Sequence, residues 1–326
     1  MPSVREINNR LSSIDQEELY EAFQQLSPCN ICPRECNADR LNGETGYCNT
    51  DDSFRISSIC IHRGEEPVIS GSKGICNIFF TNCNLQCKYC QNYQISFNCL
   101  NHNAERMTLA EVMYRIINIL EGGIKAVGFV SPSHAVPQVK VIIKALKTLG
   151  YDPAFVYNSN GYDKVEELRK LEGQIDVYLP DFKYMDEKIA EDYSDAPDYP
   201  QIALNAIKEM YRQVGAKIHL NIDKQAERGM VIRHLVLPGH AENSIKVLQE
   251  IAQKISPDIH ISLMSQYYPT HHVAALQYLG RTLKKTEYQM VVDAMENLGI
   301  YNGWIQDMES HENYRPDFER KENPFE

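Results

Sequence analysis

From residue 74 onward the chain alternates short apolar runs with amphipathic segments of helical spacing. The runs at residues 126–130 and 154–158 are typical of buried strands, and Thr108 and Glu111 form a capping box ahead of a helical face. Strands that alternate with helices favour βα units around a parallel sheet. About six units fit between residues 74 and 270, whereas a closed barrel needs about eight. The sequence therefore predicts an α/β fold with a partial (β/α)6 TIM-like barrel.

The remaining pattern divides the chain into three parts. Residues 1–72 are predicted to form an N-terminal helix, introduced by a capping box of Ser13 and Gln16, and a small loop-rich, Cys-rich subdomain. Residues 73–285 form the predicted barrel, and residues 286–326 a C-terminal helix and polar tail. Further strands are predicted at residues 75–80, 175–179, 217–222, 231–237 and 259–264. Further helices are predicted at residues 17–26, 139–146, 163–171, 201–214, 241–255 and 287–298.

Composition and charge limit the classes of function. Of 326 residues, 43% are apolar and 24% are charged, which is typical of a globular protein. The formal net charge of −11 argues against the basic footprint of a nucleic-acid-binding protein. No apolar stretch reaches membrane-spanning length, and residues 1–10 lack the apolar core of a signal peptide. We therefore expect no membrane partner, no nucleic-acid partner and a cytoplasmic location.

The cysteines are confined to one part of the chain, since all ten lie between Cys29 and Cys99. Cytoplasmic thiols are normally reduced, and a disulfide framework would be spread over the fold that it staples. A cluster near one end indicates metal chemistry instead. Two groups have the spacing of metal ligands, a triplet that begins at Cys83 and a quartet that begins at Cys29.

The triplet of Cys83, Cys87 and Cys90 has C-x3-C-x2-C spacing and directly follows the apolar run at residues 75–80. Three thiolates on one loop can hold three irons of a [4Fe–4S] cube, whereas full protein ligation needs four cysteines. The fourth iron is then open to a ligand, as one position of a catalytic zinc is. The end of a strand is also where barrel folds place their chemistry. A zinc site, or three buried thiols without metal, are the alternatives.

The triplet and the sequence Cys-Gln-Asn-Tyr-Gln-Ile-Ser at residues 90–96 resemble the pyruvate formate-lyase activating enzyme family of radical S-adenosylmethionine (SAM) proteins. The likeness extends over residues 29–268 and is greatest to a branch with an extra N-terminal cysteine segment. It implies a partial (β/α)6 barrel in which Cys83, Cys87 and Cys90 are the catalytic cluster ligands. It also implies that the reduced cluster cleaves SAM to a 5′-deoxyadenosyl radical, which abstracts a hydrogen atom, while the protein positions the cofactor.

The resemblance also assigns residues to SAM, each at or near a predicted strand end. Asp181-Phe-Lys183 matches the family's Asp-x-Lys motif, in which the lysine helps to bind SAM and the aspartate helps to build the site. Arg233 matches an arginine that contacts SAM. Taken singly, each is better interpreted as a solvated loop residue, but their order and positions together favour a site. The remaining assignments are Asn158 and Asn160 near the ribose and Tyr89 near the adenine.

The group that receives the SAM ammonium is left open by this resemblance. Many family members carry Gly-Gly-Glu after the second strand, where this chain has Ser131-Pro-Ser133. The hydroxyls of Ser131 and Ser133 can accept hydrogen bonds and are therefore candidates for cofactor binding. Near the sixth strand end, Gln266 and Tyr267 stand where the family often has a histidine, and they are weaker candidates.

The quartet of Cys29, Cys32, Cys36 and Cys48 forms the second candidate metal group. Four soft thiolates suit a structural zinc or a fully ligated iron–sulfur cluster, and a cysteine-rich loop that binds nothing is the alternative. An iron–sulfur cluster would relay electrons, whereas zinc would brace the small subdomain. The other three cysteines have no partner spacing and are predicted to be small buried hydrophobes. They are Cys60, Cys76 and Cys99.

Three functions follow as hypotheses. The first, implied by the resemblance, is an activating enzyme that installs a glycyl radical on a partner protein and takes electrons from a donor such as flavodoxin or ferredoxin. The second is a radical SAM enzyme that modifies another protein or a small molecule, because one fold hosts many functions. The third is a non-catalytic iron–sulfur or zinc protein, which would not need Asp181, Lys183 and Arg233.

Overall fold

One mixed sheet with helices packed against it organises the fold. The computed structural model describes residues 2–99, 106–308, 310, 315–320 and 323–325. The strands are β1 (Phe54–His62), β2 (Ile75–Phe80), β3 (Arg106–Met107), β4 (Ala126–Val130), β5 (Ala154–Asn158), β6 (Val177–Tyr178), β7 (His219–Leu220), β8 (Ala226–Leu235), β9 (His260–Met264) and β10 (Gly303–Ile305). The helices are α1 (Val4–Ser12), α2 (Gln16–Tyr20), α3 (Pro67–Ser70), α4 (Tyr93–Ser96), α5 (Leu109–Glu121), α6 (Val136–Thr148), α7 (Val165–Lys170), α8 (Glu187–Ser194), α9 (Tyr199–Val214), α10 (Ala241–Lys254) and α11 (Lys285–Asn297).

The central strands of this sheet are parallel, in the order β2-β4-β5-β6-β8-β9-β10. At one end β1 pairs with β2 in antiparallel fashion and β3 pairs with β1. Within the described residues β3 and β10 end the sheet without pairing to each other, so it is open, whereas a closed barrel joins its end strands. The predicted α/β fold with a partial TIM-like barrel is therefore confirmed, and β10 adds a seventh parallel strand to the six predicted units.

The two faces of the sheet have different partners, because side chains alternate along a strand. Val127 and Phe129 of β4 belong to the large apolar core, together with helical residues such as Ile142 of α6. Ala126 faces the other way and joins a smaller cluster that contains Ile69 of α3. The long helices thus cover the outer face, while the segment between β1 and β2 lies against the inner face. None of the helices in the described part of the chain is long and apolar enough to span a bilayer.

The region from residue 27 to residue 72 departs from the loop-rich prediction, because β1 lies in it and pairs with β2 in the barrel sheet. Phe54, Ile56 and Cys60 alternate as buried residues along β1, but a segment rich in cysteine, glycine and asparagine conceals the pattern. The predicted capping box of Ser13 and Gln16 is wrong. The helix there begins after Asp15, whose carboxylate accepts hydrogen bonds from two following backbone amides.

Further along the chain the predicted elements are largely present. β4 and β5 have the predicted bounds, and the capping box of Thr108 and Glu111 introduces α5. The segment 217–222 contributes only the two-residue β7, which pairs with β8 in antiparallel fashion and is not one of the parallel strands. Its residues His219 and Leu220 are exposed, so no buried face selects a longer strand there.

The outer core predicts a stability change that can be measured. Ile142 on α6 is fully buried in the large core. Ile142→Ala should lower the free energy of unfolding by about 2–5 kcal/mol, because it removes buried methyl groups and leaves a cavity. Urea denaturation measures this change. The matched control is Ile222→Ala, at a side chain that is 95% exposed, and this substitution should stay within about 0.5 kcal/mol of the parent chain. Equal losses in both variants would contradict the core assignment.

Candidate active site

The loop that follows β2 carries all three cysteines of the triplet, at the carboxyl end of the parallel strands. Cys83 is buried, and Cys87 and Cys90 are half-buried. The three thiols line one cavity of about 180 Å³, which we call the cluster-loop cavity. Predicted SAM ligands from four other strand ends line the same cavity. They are Ser131, Asn160, Asp181, Lys183 and Arg233.

Each sulfur of the triplet has a hydrogen-bond donor beside it. The amide Nδ2 of Asn160 lies 3.3 Å from Cys83 Sγ. Ser194 Oγ lies 3.0 Å from Cys87 Sγ, and Ser96 Oγ lies 3.2 Å from Cys90 Sγ. Donors directed at sulfur stabilise thiolates and tune a metal bound to them. These donors come from the turn after β5, from α8 and from α4, so three separate segments support the cysteine loop.

Burial dominates the acidity of these thiols. It raises the pKa of Cys83 to about 12 and that of Cys90 to about 11, and the neighbouring Cys87 adds to both increases. Burial also raises the pKa of Cys87, but the charge of Lys183 opposes that rise. Without metal the thiols are therefore protonated at neutral pH, and binding of a metal has to release their protons.

The donor set fits an iron–sulfur cube better than a single ion. Among the described residues, no three His, Cys, Asp or Glu side chains converge as ligands of one metal ion. A cube instead attaches each thiolate to a different iron, which spreads the three sulfurs around one cavity wall. The loop supplies three thiolates and no fourth, and it leaves the adjoining space to Lys183 and Asp181.

Asp181 and Lys183 form an ion pair at the carboxyl end of β6, with 2.6 Å between Lys183 Nζ and Asp181 Oδ2. Burial lowers the pKa of Lys183, but the charge and the hydrogen bond of Asp181 oppose it, and the pKa lies above its usual value. Lys183 is therefore a fixed cation beside the cysteine loop. A cation in this position suits the carboxylate of a ligand that sits against the cluster.

Tyr89 is buried beside the cysteines, and its hydroxyl lies 2.5 Å from that of Tyr184. The Tyr184 hydroxyl lies 2.8 Å from Ser194 Oγ, and Ser194 Oγ donates to Cys87 Sγ. Tyr89 therefore joins a hydrogen-bonded chain that ends on a thiol, besides lining the cavity where the adenine is expected. No pattern in the sequence indicates Tyr184 or Ser194, because only the folded chain brings these two residues to the loop.

The polar residues in and beside the turns after β4 and β5 do not all face the cluster-loop cavity. Ser131 has a positive φ of 48° and lines the cluster-loop cavity. Ser133 is buried and lies 3.3 Å from Asn160 Oδ1, so it supports Asn160 rather than facing the cavity. Asn158 lines a neighbouring cavity beside Glu65. Of the two predicted acceptors for the SAM ammonium, only Ser131 is at the cavity wall.

Arg233 reaches the cavity from β8, but two carboxylates already contact it. Its Nη1 lies 3.3 Å from Glu65 Oε2, and its Nε lies 3.1 Å from Glu66 Oε1. The sequence reasoning missed both glutamates. The one available signal was the Arg-Gly-Glu-Glu-Pro run at residues 63–67, which puts adjacent charges into an otherwise apolar inner segment.

The remaining candidates near the sixth strand differ in position. Gln266 lines the cluster-loop cavity, and its backbone carbonyl accepts a hydrogen bond from Gln91 at 2.9 Å. Tyr267 is buried and donates to the carbonyl of Leu279, so its hydroxyl serves the packing of the following loop. Its ring lies 6.1 Å from that of Tyr89. Gln266 is thus the better-placed member of the pair.

The cysteine quartet lies in a segment that packs against the cysteine loop, where Arg34 Nε donates to the carbonyl of Asn84. Cys29, Cys32 and Cys48 are buried, and burial, reinforced by the other members of the quartet, raises the pKa of Cys32 to about 12. The guanidinium of Arg40 lies 3.7 Å from Cys29 Sγ. The four sulfurs are not arranged around one ion position. Among the other cysteines, Cys60 and Cys76 are buried as predicted, whereas the prediction for Cys99 is wrong because it is exposed.

Comparison with known proteins places this geometry in a family. The family model of the Radical SAM superfamily matches residues 77–252, more than half of the chain, from within β2 to within α10. The chain belongs to the radical SAM superfamily. Membership implies a [4Fe–4S] cluster and SAM as cofactors and indicates an enzyme. The match does not distinguish among branches of the superfamily, so the resemblance to the pyruvate formate-lyase activating enzyme family stays a prediction.

Individual relatives of this radical SAM chain are more distant. The uncharacterized protein MJ0674 of Methanocaldococcus jannaschii is 29% identical over 281 residues, which cover 83% of this chain and 75% of that protein. A structure of TYW1 with a lysine–pyruvate adduct bound is 13% identical, with a TM-score of 0.45, and the match covers 73% of this chain and 78% of that one. A structure of HydG, a maturase of the [FeFe]-hydrogenase, is also 13% identical, with a TM-score of 0.45. That match covers 92% of this chain and 65% of the HydG chain.

Two histidines, one in the turn after β4 and one on β8, are buried and neutral. The Nε2 of His134 lies 3.0 Å from the carbonyl of Thr81, and the Nδ1 of His234 lies 2.6 Å from the carbonyl of Phe182. Burial lowers the pKa of both to about 4. An unfolded histidine titrates near about 6.5. Their contribution to stability is therefore complete above pH 6.5 and is lost as the pH falls toward 4.

We predict that His134→Gln flattens this acid dependence. The loss in the free energy of unfolding between pH 7 and pH 5 should be smaller than in the parent chain by roughly 2 kcal/mol, because one buried imidazole no longer has to stay unprotonated. Urea denaturation at the two pH values measures the difference, whatever the absolute stability of the variant. His219→Gln, at an exposed position, is the control and should keep the parent dependence. An unchanged pH dependence in His134→Gln would show that His134 is not the source.

Proposed function

We propose that this chain binds a [4Fe–4S] cluster on Cys83, Cys87 and Cys90 and cleaves SAM in the cluster-loop cavity to generate a radical for hydrogen abstraction. The observation that carries the proposal is the meeting of three loop cysteines with the Lys183–Asp181 pair in one cavity. Superfamily membership supports the reaction class. The reduced thiols that the site requires are consistent with the cytoplasmic location expected from the sequence.

The chemistry that the cluster supplies when bound is one-electron reductive cleavage of SAM, which yields a 5′-deoxyadenosyl radical. The chain's own residues bind and orient. Ser194, Ser96 and Asn160 donate to the thiolates and hold the ligand loop. Lys183 offers a cation to the SAM carboxylate. Asp181 holds the ammonium of Lys183 in place, with 2.6 Å between Asp181 Oδ2 and Lys183 Nζ.

The other groups of SAM meet residues that line the same cavity or its border. Ser131 offers a hydroxyl to the ammonium, and Asn160, whose amide nitrogen already donates to Cys83 and Asn84, lines the cavity on the ribose side. Asn158 stands on the side of the neighbouring cavity, next to Arg233 Nη1 at 3.3 Å. Tyr89 supplies a buried ring for the adenine. Together these positions offer a candidate partner to each group of SAM without an acidic residue in the turn after β4.

The ligand assignment predicts that Cys87→Ala abolishes SAM cleavage. A cube with one open iron cannot persist on two thiolates, so 5′-deoxyadenosine should fall to the level of the enzyme-free control. The assay is anaerobic reconstitution with iron and sulfide, then dithionite and SAM, with 5′-deoxyadenosine measured by chromatography. Cys99→Ala is the matched control, because Cys99 is exposed and outside both groups. Undiminished cleavage by Cys87→Ala would refute the assignment. A formed cluster without product in the parent chain would favour the non-catalytic alternative.

We further propose that Cys29, Cys32, Cys36 and Cys48 bind a second metal, either zinc or an iron–sulfur cluster. The support is the burial of three of the thiols and their mutual effect on the pKa of Cys32. Gly46 also supports it, since a Cβ there would lie 2.2 Å from Cys36 Sγ and only glycine leaves that sulfur room. Counting iron, sulfide and zinc per chain in the same preparation should show metal beyond one cube, and Cys32→Ala should remove the excess. A count of four irons and no zinc in the parent chain would contradict this second site.

For the substrate, we propose a glycyl-radical-type protein that the chain activates with electrons from flavodoxin or ferredoxin. The support is the sequence resemblance and the open sheet, whose ends at β3 and β10 leave space for a partner's loop. Mixed anaerobically with such a protein, reduced donor and SAM, the chain should produce a glycyl doublet in the electron paramagnetic resonance spectrum. The Cys87→Ala variant provides the blank. Steady 5′-deoxyadenosine formation without that doublet would count against this substrate.

A second candidate function is favoured by C-terminal residues that line the cavity beside the site. Pro316 and Phe325 line the cavity next to Arg233, and the ring of Phe325 lies 4.1 Å from that of His62. Gln94 of α4 binds the backbone of Phe318 at 2.9 Å. A protein substrate would have to displace this segment, whereas a small molecule would not. Modification of a small molecule is therefore the alternative to glycyl-radical activation.

A further inference from the structure

Three hydroxyl groups in series connect the wall of the cluster-loop cavity to one of its cysteines. Tyr89 lines that cavity, and its hydroxyl lies 2.5 Å from that of Tyr184. The Tyr184 hydroxyl lies 2.8 Å from Ser194 Oγ, which lies 3.0 Å from Cys87 Sγ. Tyr184 and Ser194 are fully buried and Tyr89 is 6% exposed, so solvent has little access to these bonds. We call the series Tyr89, Tyr184 and Ser194 the hydroxyl relay.

The direction of the hydroxyl relay follows from the group at its end. A thiolate that ligates iron carries no proton and can only accept a hydrogen bond. Ser194 gives its one hydroxyl proton to Cys87, so its oxygen accepts from Tyr184, and the oxygen of Tyr184 accepts from Tyr89 in turn. All three protons are therefore directed toward the sulfur. Hydroxyls aligned in this way polarise one another, which strengthens the last bond relative to that of an isolated serine.

The other two cysteines of the triplet have simpler donors. Cys83 accepts from the amide nitrogen of Asn160, and Cys90 accepts from Ser96 Oγ. In the described part of the chain no group donates to Ser96 Oγ, so no phenol strengthens that bond. The hydroxyl relay therefore distinguishes Cys87 from the other two ligands.

The position of Tyr184 is fixed by α10. Asn243 Oδ1 accepts from the backbone amide of Met185 at 2.9 Å, and Asn243 Nδ2 donates to the carbonyl of Lys183 at 3.1 Å. A buried tyrosine hydroxyl needs a partner, and a backbone carbonyl meets that need for Tyr267. Tyr184 instead pairs with hydroxyls in a series that ends on a cysteine of the triplet. Partners of this kind, held rigidly behind a metal ligand, tune the metal group.

We propose that Tyr184 and Ser194 are positioning residues of the cluster, and that the hydroxyl relay raises the reduction potential of the cluster through Cys87. This inference rests on the proposed function, because it takes Cys87 as a cluster ligand. Reduction adds one electron from an external donor, without forming or breaking a bond, and part of the added charge falls on the thiolate sulfurs. A donor at sulfur therefore stabilises the reduced cluster more than the oxidised one.

The test is an anaerobic redox titration of the full reconstituted chain without SAM, followed by the electron paramagnetic resonance signal of the reduced cluster. Ser194→Ala should lower the equilibrium constant for one-electron reduction about tenfold, which corresponds to about 59 mV. Tyr184→Phe keeps the ring and removes one oxygen atom. It should lower the constant about threefold, because it weakens the bond to sulfur without removing it. Iron and sulfide counts per chain should equal those of the parent.

Combined variants separate action through Ser194 from a general structural effect. In the Ser194→Ala background, Tyr184→Phe should change the equilibrium constant by less than about 1.5-fold, because Tyr184 acts on the cluster only through Ser194. In the Ser96→Ala background, Tyr184→Phe should keep its effect of about threefold, because Ser96 donates to a different thiolate.

Tyr178→Phe is the matched control for the loss of a buried tyrosine hydroxyl. The hydroxyl of Tyr178 donates to Gln213 Oε1 at 2.7 Å, outside the hydroxyl relay, so this variant should keep the parent potential. An equal shift in Tyr178→Phe and Tyr184→Phe would assign the effect to packing and overturn the proposal.

The remaining outcomes separate the hydroxyl relay from the reaction. An unchanged potential in Ser194→Ala, or additive effects of Ser194→Ala and Tyr184→Phe, would overturn the relay. Loss of the cluster from Tyr184→Phe would also overturn it, since a residue that only polarises Ser194 is not required to hold the cube. The expected shifts together with no 5′-deoxyadenosine from the parent chain would support the relay and reject the proposed reaction alone. A parent chain that forms no cluster would overturn both.

Discussion

The parallel register of the central strands is the constraint on which the site depends. Phe79 of β2 pairs with Val130 of β4, and Val130 pairs with Asn158 of β5, so these three strands end at one level. Asp181 and Arg233 form a further bridge beyond β6. Because the strands end together, the loops that follow them meet at one edge of the sheet. Residues about one hundred positions apart in the sequence, such as Cys87 and Lys183, come together only for this reason.

A second constraint fixes the cysteine loop above that edge. Asn160 Nδ2 lies 2.8 Å from Asn84 Oδ1 and 3.3 Å from Cys83 Sγ, and Asn84 Nδ2 donates to the carbonyl of Tyr162 at 2.8 Å. These amides are buried, so an unpaired one would cost more than the bond itself contributes. The network therefore allows few alternative positions for Cys83. A loop fixed in this way would keep Cys83 in place as a cluster ligand while SAM binds and leaves.

The sequence predicted what local patterns encode. β4, β5 and the cap of α5 follow from apolar periodicity and a capping box, and the triplet follows from its spacing. What it missed depends on tertiary contacts. Ser194 and Tyr184 are ordinary in sequence and matter only because α8 packs over Cys87. β1 was missed because its alternation is short and its flanks resemble loop, and pairing with β2 selects the strand. Ser133 has the right chemistry, but it faces Asn160 and not the cavity.

The N-terminal region makes direct contacts with the residues of the site. Arg34 Nε donates to the carbonyl of Asn84 at 2.9 Å, directly beside the first cysteine of the triplet. Arg40 is 1% exposed and donates to the carbonyl of His134 at 2.9 Å, while it also lies beside Cys29.

Glu65 and Glu66, which also precede β2, form ion pairs with Arg233 on β8. The region before β2 therefore contacts the site through the cysteine loop, the turn after β4 and β8. A buried arginine that bridges two segments is hard to remove without leaving carbonyls unpaired. Movement of the quartet segment would consequently be transmitted to Cys83. A metal bound by the quartet would restrain the ligand loop even if it never exchanged an electron with the cluster there.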